Sequence, residues 1–151
     1  MSVTGVLAML VVFNLVYTFL STPAGSLSDR IGRKKMIAAG WLVYALVYLG
    51  VGVAQQAWQI FALHIVYGFY YALAYSTAKA MVADLVPPAA RGKAFGLLGA
   101  LEGGFLFPAS LLTGWLWDAT GSPAVPLLVS AALSVVAAAW LILFVPRPPL
   151  R

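Results

Sequence analysis

The sequence predicts an all-α fold, a polytopic transmembrane helix bundle of five spans. Three observations carry this prediction. Hydrophobic residues make up 63% of the 151 and charged residues only 9%, with a mean hydropathy of +0.97. A soluble domain of that composition would lack the polar surface to cover itself. Apolar runs of about 20 residues recur along the chain, the length a helix needs to cross a hydrocarbon core of about 30 Å. Lys and Arg gather in the short connections between those runs, on alternate connections only. A lipid-exposed open sheet is excluded, because its edge N–H and C=O groups would go unpaired in hydrocarbon.

The first span, about Val3 to Ala24, has no basic segment before it and is too long for the apolar part of a cleaved signal peptide. Its Asn14, Thr18 and Ser21 form a mild polar stripe suited to interhelical hydrogen bonds. A polar block follows, and then a second span, about Met36 to Ala54, without a charged residue. The third span, about Trp58 to Val82, carries His64, Tyr67, Tyr71, Tyr75 and Lys79 at spacings of three and four, which share one helix face. Pro87-Pro88 interrupts the helix. The fourth span, about Ala94 to Trp117, combines Gly92, Gly96, Gly99 and Gly103 with Pro108, a pattern that permits close helix contact and a bend. The fifth, about Ala124 to Val145, opens on Ser122 as N-cap and Pro123 as first helical residue, and Pro146 stops it.

Loop charge orients the bundle. Arg30, Arg33, Lys34, Lys35, Arg91, Lys93, Arg147 and Arg151 fall on one side, whereas the Gln55-Gln56 and Asp118 to Pro123 loops hold no Lys or Arg. The basic side is cytoplasmic, so five spans place the N-terminus outside and the C-terminus in the cytoplasm. Trp58 and Trp117 then sit at outer boundaries as interfacial anchors. This placement also accounts for the net charge of +5 without a nucleic-acid partner. With no cysteine and one histidine, the chain offers no thiolate site or histidine cluster, and no metal or other cofactor is expected.

The most informative stretch is the polar block Gly25-Ser26-Leu27-Ser28-Asp29-Arg30-Ile31-Gly32-Arg33-Lys34-Lys35-Met36-Ile37, with five of the thirteen charged side chains. Gly25 and Gly32 permit close helix approach or a positive φ in a tight turn, and Asp29 is placed to accept hydrogen bonds from a helix N-terminus. A generic basic turn explains the cations but neither Asp29 nor the glycines. The block resembles the loop signature of the major facilitator superfamily, Gly-x-Leu-x-Asp-Arg-x-Gly-Arg-Lys, met here by Gly25, Leu27, Asp29, Arg30, Gly32, Arg33 and Lys34. A second stretch is similar to helices ten and eleven of bacterial members: Tyr67-Gly68-Phe69-Tyr70-Tyr71-Ala72-Leu73, Ala83-Asp84-Leu85-Val86-Pro87-Pro88, Arg91-Gly92-Lys93-Ala94-Phe95-Gly96-Leu97 and Pro108-Ala109-Ser110.

The resemblance implies a secondary transporter of small solutes in a bacterial inner membrane, working by alternating access between two six-helix halves. The chain then corresponds to helices eight to twelve, lacking the amino-terminal half and one further helix, with that half or another copy as possible partner. It also implies that Arg33 bridges Asp29 and Asp84 as a conformational latch, and that the third span lines a central path. For His64, Tyr67, Tyr71, Tyr75 and Lys79 two readings stand: a solute path, or ring packing with Lys79 reaching the cytoplasmic surface. Lys34 and Lys35 are read as headgroup contacts. Glu102, well inside an apolar run, is the candidate proton carrier, with a structural hydrogen bond as the alternative. Two further readings are a membrane fragment that does not transport and an intramembrane enzyme. The enzyme is disfavoured because Ser26 lacks a nucleophile setting and His64 lies toward the opposite face.

Overall fold

A computed structural model describes residues 3–145. Pro146, Arg147 and Arg151 of the sequence argument lie outside the described residues. The helices are α1 (Val3–Ile31), α2 (Arg33–Val53), α3 (Ala57–Tyr70), α4 (Ser76–Leu85), α5 (Arg91–Thr120) and α6 (Ala124–Phe144). One π-helical turn, Tyr71–Tyr75, joins α3 to α4 in a single span, and a short 3₁₀ turn, Pro88–Ala90, leads into α5. Five stretches among the described residues are long and apolar enough to cross a membrane. The protein is an integral membrane helix bundle.

The first four spans are longer than periodicity and loop composition predict. The polar block is mostly not a loop: α1 continues through Arg30 and Ile31, and Gly32 alone separates it from α2. The reason lies in the backbone, since Gly32 N–H still bonds the Ser28 carbonyl at 3.0 Å and Met36 N–H the Gly32 carbonyl at 3.3 Å. The chain reverses at one residue with φ 95° and ψ 135°, a conformation open to glycine and strained for any side chain. At the fifth span, helix begins at Ala124 and Pro123 takes the cap position. Ser122 still serves the start of the helix, its Oγ accepting from Ala124 N–H at 3.3 Å.

Packing is organised around α2, which runs along α6 and also touches the third span and α1. Ile37 and Ala38 of α2 are buried with Met81 of α4 and Ala138 and Leu141 of α6. A second cluster joins Ala24 of α1, Met36 of α2 and Ala72 of the π turn. Alanine recurs in both, as expected where helices associate through close backbone contact and not through water exclusion. Ser134 of α6 adds an interhelical hydrogen bond to the Trp41 carbonyl at 2.8 Å. The polar stripe of α1 does not act that way: Asn14 and Ser21 donate back to Leu10 and Tyr17 carbonyls of their own helix, at 2.7 and 2.6 Å.

The helix α5 stands apart, its main contacts being with parts of α4, α6 and the 3₁₀ turn. None of its residues is buried. A Cβ built at Gly92, Gly96, Gly99 or Gly103 would meet nothing within 4 Å. The small-residue face predicted to pack closely is therefore open in this chain.

Candidate conformational latch and polar face

The start of α2 projects Arg33 toward the ends of α1 and α4, where it gathers three partners. Nη2 lies 2.7 Å from Asp29 Oδ1, and Nε donates to Asp84 Oδ2 at 3.0 Å. Nη1 donates to Ser28 Oγ at 2.5 Å, and that hydroxyl donates in turn to the Gly25 carbonyl at 2.7 Å. The guanidinium fork thus ties three helices together, a task its planar set of donors suits better than a lysine point charge. Arg33 is 19% exposed and Asp84 34%, whereas Asp29 is 62% exposed. The pair to Asp84 is the more shielded from solvent and salt, and the pair to Asp29 resembles a surface ion pair, worth about 0–1 kcal/mol.

Several sequence readings change here. The described partner of Asp29 is Arg33, not a helix N-terminus. A Cβ at Gly25 would meet nothing within 4 Å, so close approach is not what that position requires. Leu27 and Arg30 lie exposed on the last turns of α1. Ser28, which falls at an unspecified position of the signature, is 1% exposed and central to the cluster. Lys34 does not reach out to headgroups: its Nζ donates to the Ile142 carbonyl at 2.9 Å and also to the Val145 carbonyl. It thereby caps the negative end of the α6 dipole. Arg91 closes the junction from the α5 side, donating to the Ala83 carbonyl at 3.3 Å.

Further along, the third span presents its aromatic face to α1 and α2. The Tyr71 ring meets Phe13 at 5.2 Å and Tyr17 at 5.7 Å, both of α1. Tyr67 contacts Phe13 at 5.8 Å and Tyr44 and Tyr48 of α2 at 6.1 and 6.2 Å. His64 packs edge-on against Phe13 at 6.2 Å. Tyr75 lies 5.2 Å from Tyr71, and its hydroxyl accepts from Lys79 Nζ at 2.9 Å. The five stripe residues are half-buried, forming a partly packed ridge and not a bare wall. Phe13, Tyr17, Tyr44, Tyr48 and Tyr70 belong to the same aromatic network but were not legible as such, because they come from different spans or lie off the stripe.

Glu102 occupies an exposed position on α5.

Comparison with known proteins agrees with the geometry. The sequence profile described as Major Facilitator Superfamily matches residues 1–151. An uncharacterised MFS-type transporter of Methanocaldococcus jannaschii is 35% identical over 139 residues, covering 92% of this chain and 34% of its own length. The multidrug resistance protein MdtG of Proteus mirabilis is 34% identical over 130 residues, covering 83% and 32%. The puromycin resistance protein pur8 of Streptomyces alboniger is 32% identical over 113 residues, covering 70% and 22%. The chain spans about a third of the length of the first two relatives. With the profile matched from end to end around the Arg33 cluster, this chain belongs to the Major Facilitator Superfamily.

Proposed function

We propose that this chain is the carboxy-terminal portion, helices eight to twelve, of a secondary transporter that moves a small solute across a bacterial inner membrane by alternating access. Family membership supports a transporter over an enzyme. The observation that carries the mechanism is Arg33, held at once by Ser28, Asp29 and Asp84 where α1, α2 and α4 meet. Such a junction holds the cytoplasmic side of one state together, and breaking the Asp84 pair releases it. The N-terminus faces outward and the C-terminus the cytoplasm.

The ridge of His64, Tyr67, Tyr71, Tyr75 and Lys79 forms one wall of the solute path. Glu102, a carboxylate on a membrane-spanning helix, is the proton carrier in this reading. Relatives named for multidrug and puromycin resistance make lipophilic antibiotics the first solutes to test. Efflux of puromycin from proteoliposomes holding this chain together with the remaining helices, under an imposed proton gradient, tests the reading. Arg33→Lys should slow it, and Glu102→Gln should abolish its response to the gradient. Gradient-driven efflux unchanged in Glu102→Gln removes that residue from the mechanism.

A second reading is favoured by the open α5 face. The 151 residues act only as part of a larger assembly, with the remaining helices or another copy completing the path. No residue of α5 is buried, and its four small-residue positions meet nothing. The chain alone then carries one wall and no second gate.

A further inference from the structure

A stripe at four-residue spacing should not stay on one helix face for long. Each such step overshoots a full turn by about 40°, so in an unbroken α-helix Tyr67 and Lys79 would sit about 120° apart. The π turn at Tyr71–Tyr75 changes that, since it takes one extra residue into a single turn. The rotation from Tyr67 to Lys79 then matches about eleven α-helical steps instead of twelve, leaving the two about 20° apart. The tyrosine stripe is aligned by this one turn.

The turn has a specific holder. Ser76 N–H bonds the Tyr71 carbonyl, five residues back, and so bypasses the Ala72 carbonyl. The Ser76 hydroxyl takes that carbonyl instead, at 2.6 Å. Space for the widened turn comes from α2: a Cβ at Gly40 would lie 2.6 Å from Ala74 Cβ and 2.8 Å from its backbone nitrogen. Against the turn stands Thr77, whose hydroxyl is fully buried and has no hydrogen-bond partner among the described residues. Other hydroxyls in this chain, such as Ser21 and Thr113, bond the carbonyl four residues back. An unmet buried hydroxyl is a cost on the π state.

We infer that the Tyr71–Tyr75 turn is a register switch in the third span, held in its π form by the Ser76 hydroxyl, and that its release rotates Tyr75 and Lys79 off the face they share with Tyr67. Ser76 is a positioning residue in this arrangement. The inference concerns helix register and stands whether or not the stripe lines a solute path.

The chain has no cysteine, so single-cysteine scanning needs no prior substitution. Each residue from 77 to 82 is replaced by Cys in turn in the full chain, in liposomes, and labelled with a small water-soluble maleimide. With Ser76 intact, labelling downstream of the turn peaks at Lys79→Cys. In the Ser76→Ala background the peak moves one residue earlier, to Ala78→Cys. The ratio of the two rates changes about fivefold, the shift one neutral hydrogen bond sustains. Ser76→Thr keeps the original pattern. Gly40→Ala, which crowds the widened turn, moves the peak as Ser76→Ala does and provides the same reading if Ser76→Ala fails to accumulate. Deleting Ala74 removes the extra residue, so Ser76→Ala in that chain leaves the peak at position 79. A peak at Lys79→Cys in both the Ser76→Ala and Gly40→Ala backgrounds overturns the switch, as does a peak at Ala78→Cys with Ser76 intact.

Discussion

At the scale of single residues, the junction between α1 and α2 depends on Gly32 and Ser28 in different ways. Gly32 is a backbone requirement: at φ 95° a side chain costs about 1–3 kcal/mol. Gly32→Ala should therefore lower the unfolding free energy in micelles by about that amount, measured by SDS titration. Ser28 is a hydrogen-bond requirement, since its buried hydroxyl both donates to Gly25 and accepts from Arg33. Ser28→Ala should cost about 1–3 kcal/mol. Ser26→Ala, which removes only an exposed hydroxyl bonded to the Thr22 carbonyl, should stay within about 0.5 kcal/mol. Equal losses for the two serines would contradict the cluster. The joining of Asp29, Arg33 and Asp84 was legible through the family resemblance, which implied Arg33 as the bridge between the two acids. Ser28 was not, because nothing in composition separates a serine that turns inward from its neighbour Ser26, which turns outward.

At the scale of elements, the two ends of the bundle differ in how they are fastened. The α2–α6 pair is tied near the Gly32 end by Lys34 on the Ile142 and Val145 carbonyls and further along by Ser134 on Trp41. A lysine at a helix C-terminus contributes about 0.3–1 kcal/mol through the dipole. Lys34→Met should therefore raise amide hydrogen exchange in the last turn of α6 several-fold while leaving α3 unchanged. Equal protection in both chains would return Lys34 to a headgroup role. This contact links residues 108 and 111 positions apart. Sequence reading assigns such a lysine to the nearest surface because no local pattern reveals a distant carbonyl. The five spans were legible from apolar length, and their ends were not. Helix continued through Arg30 because the backbone bonds were kept and one glycine was enough to reverse the chain. The π turn was equally hidden, since a period of 3.6 is assumed whenever a helical stripe is read.

At the scale of the whole molecule, the bundle divides into a packed part and an open one. The α2–α6 pair, with α1 and the third span, holds the buried clusters, while α5 has no buried residue. An acidic residue on an uncovered helix is costly in hydrocarbon, and the four small-residue positions beside it would let another helix approach closely. Covering α5 should complete the path beside the tyrosine ridge. The most direct test is transport by the purified 151-residue protein in proteoliposomes, alone and co-reconstituted with the upstream helices, using the antibiotics suggested by its relatives. The account predicts no saturable transport by the chain alone and saturable, competable transport once those helices are present. Substrate-specific, saturable uptake by a demonstrated monomer of the 151-residue chain would contradict it.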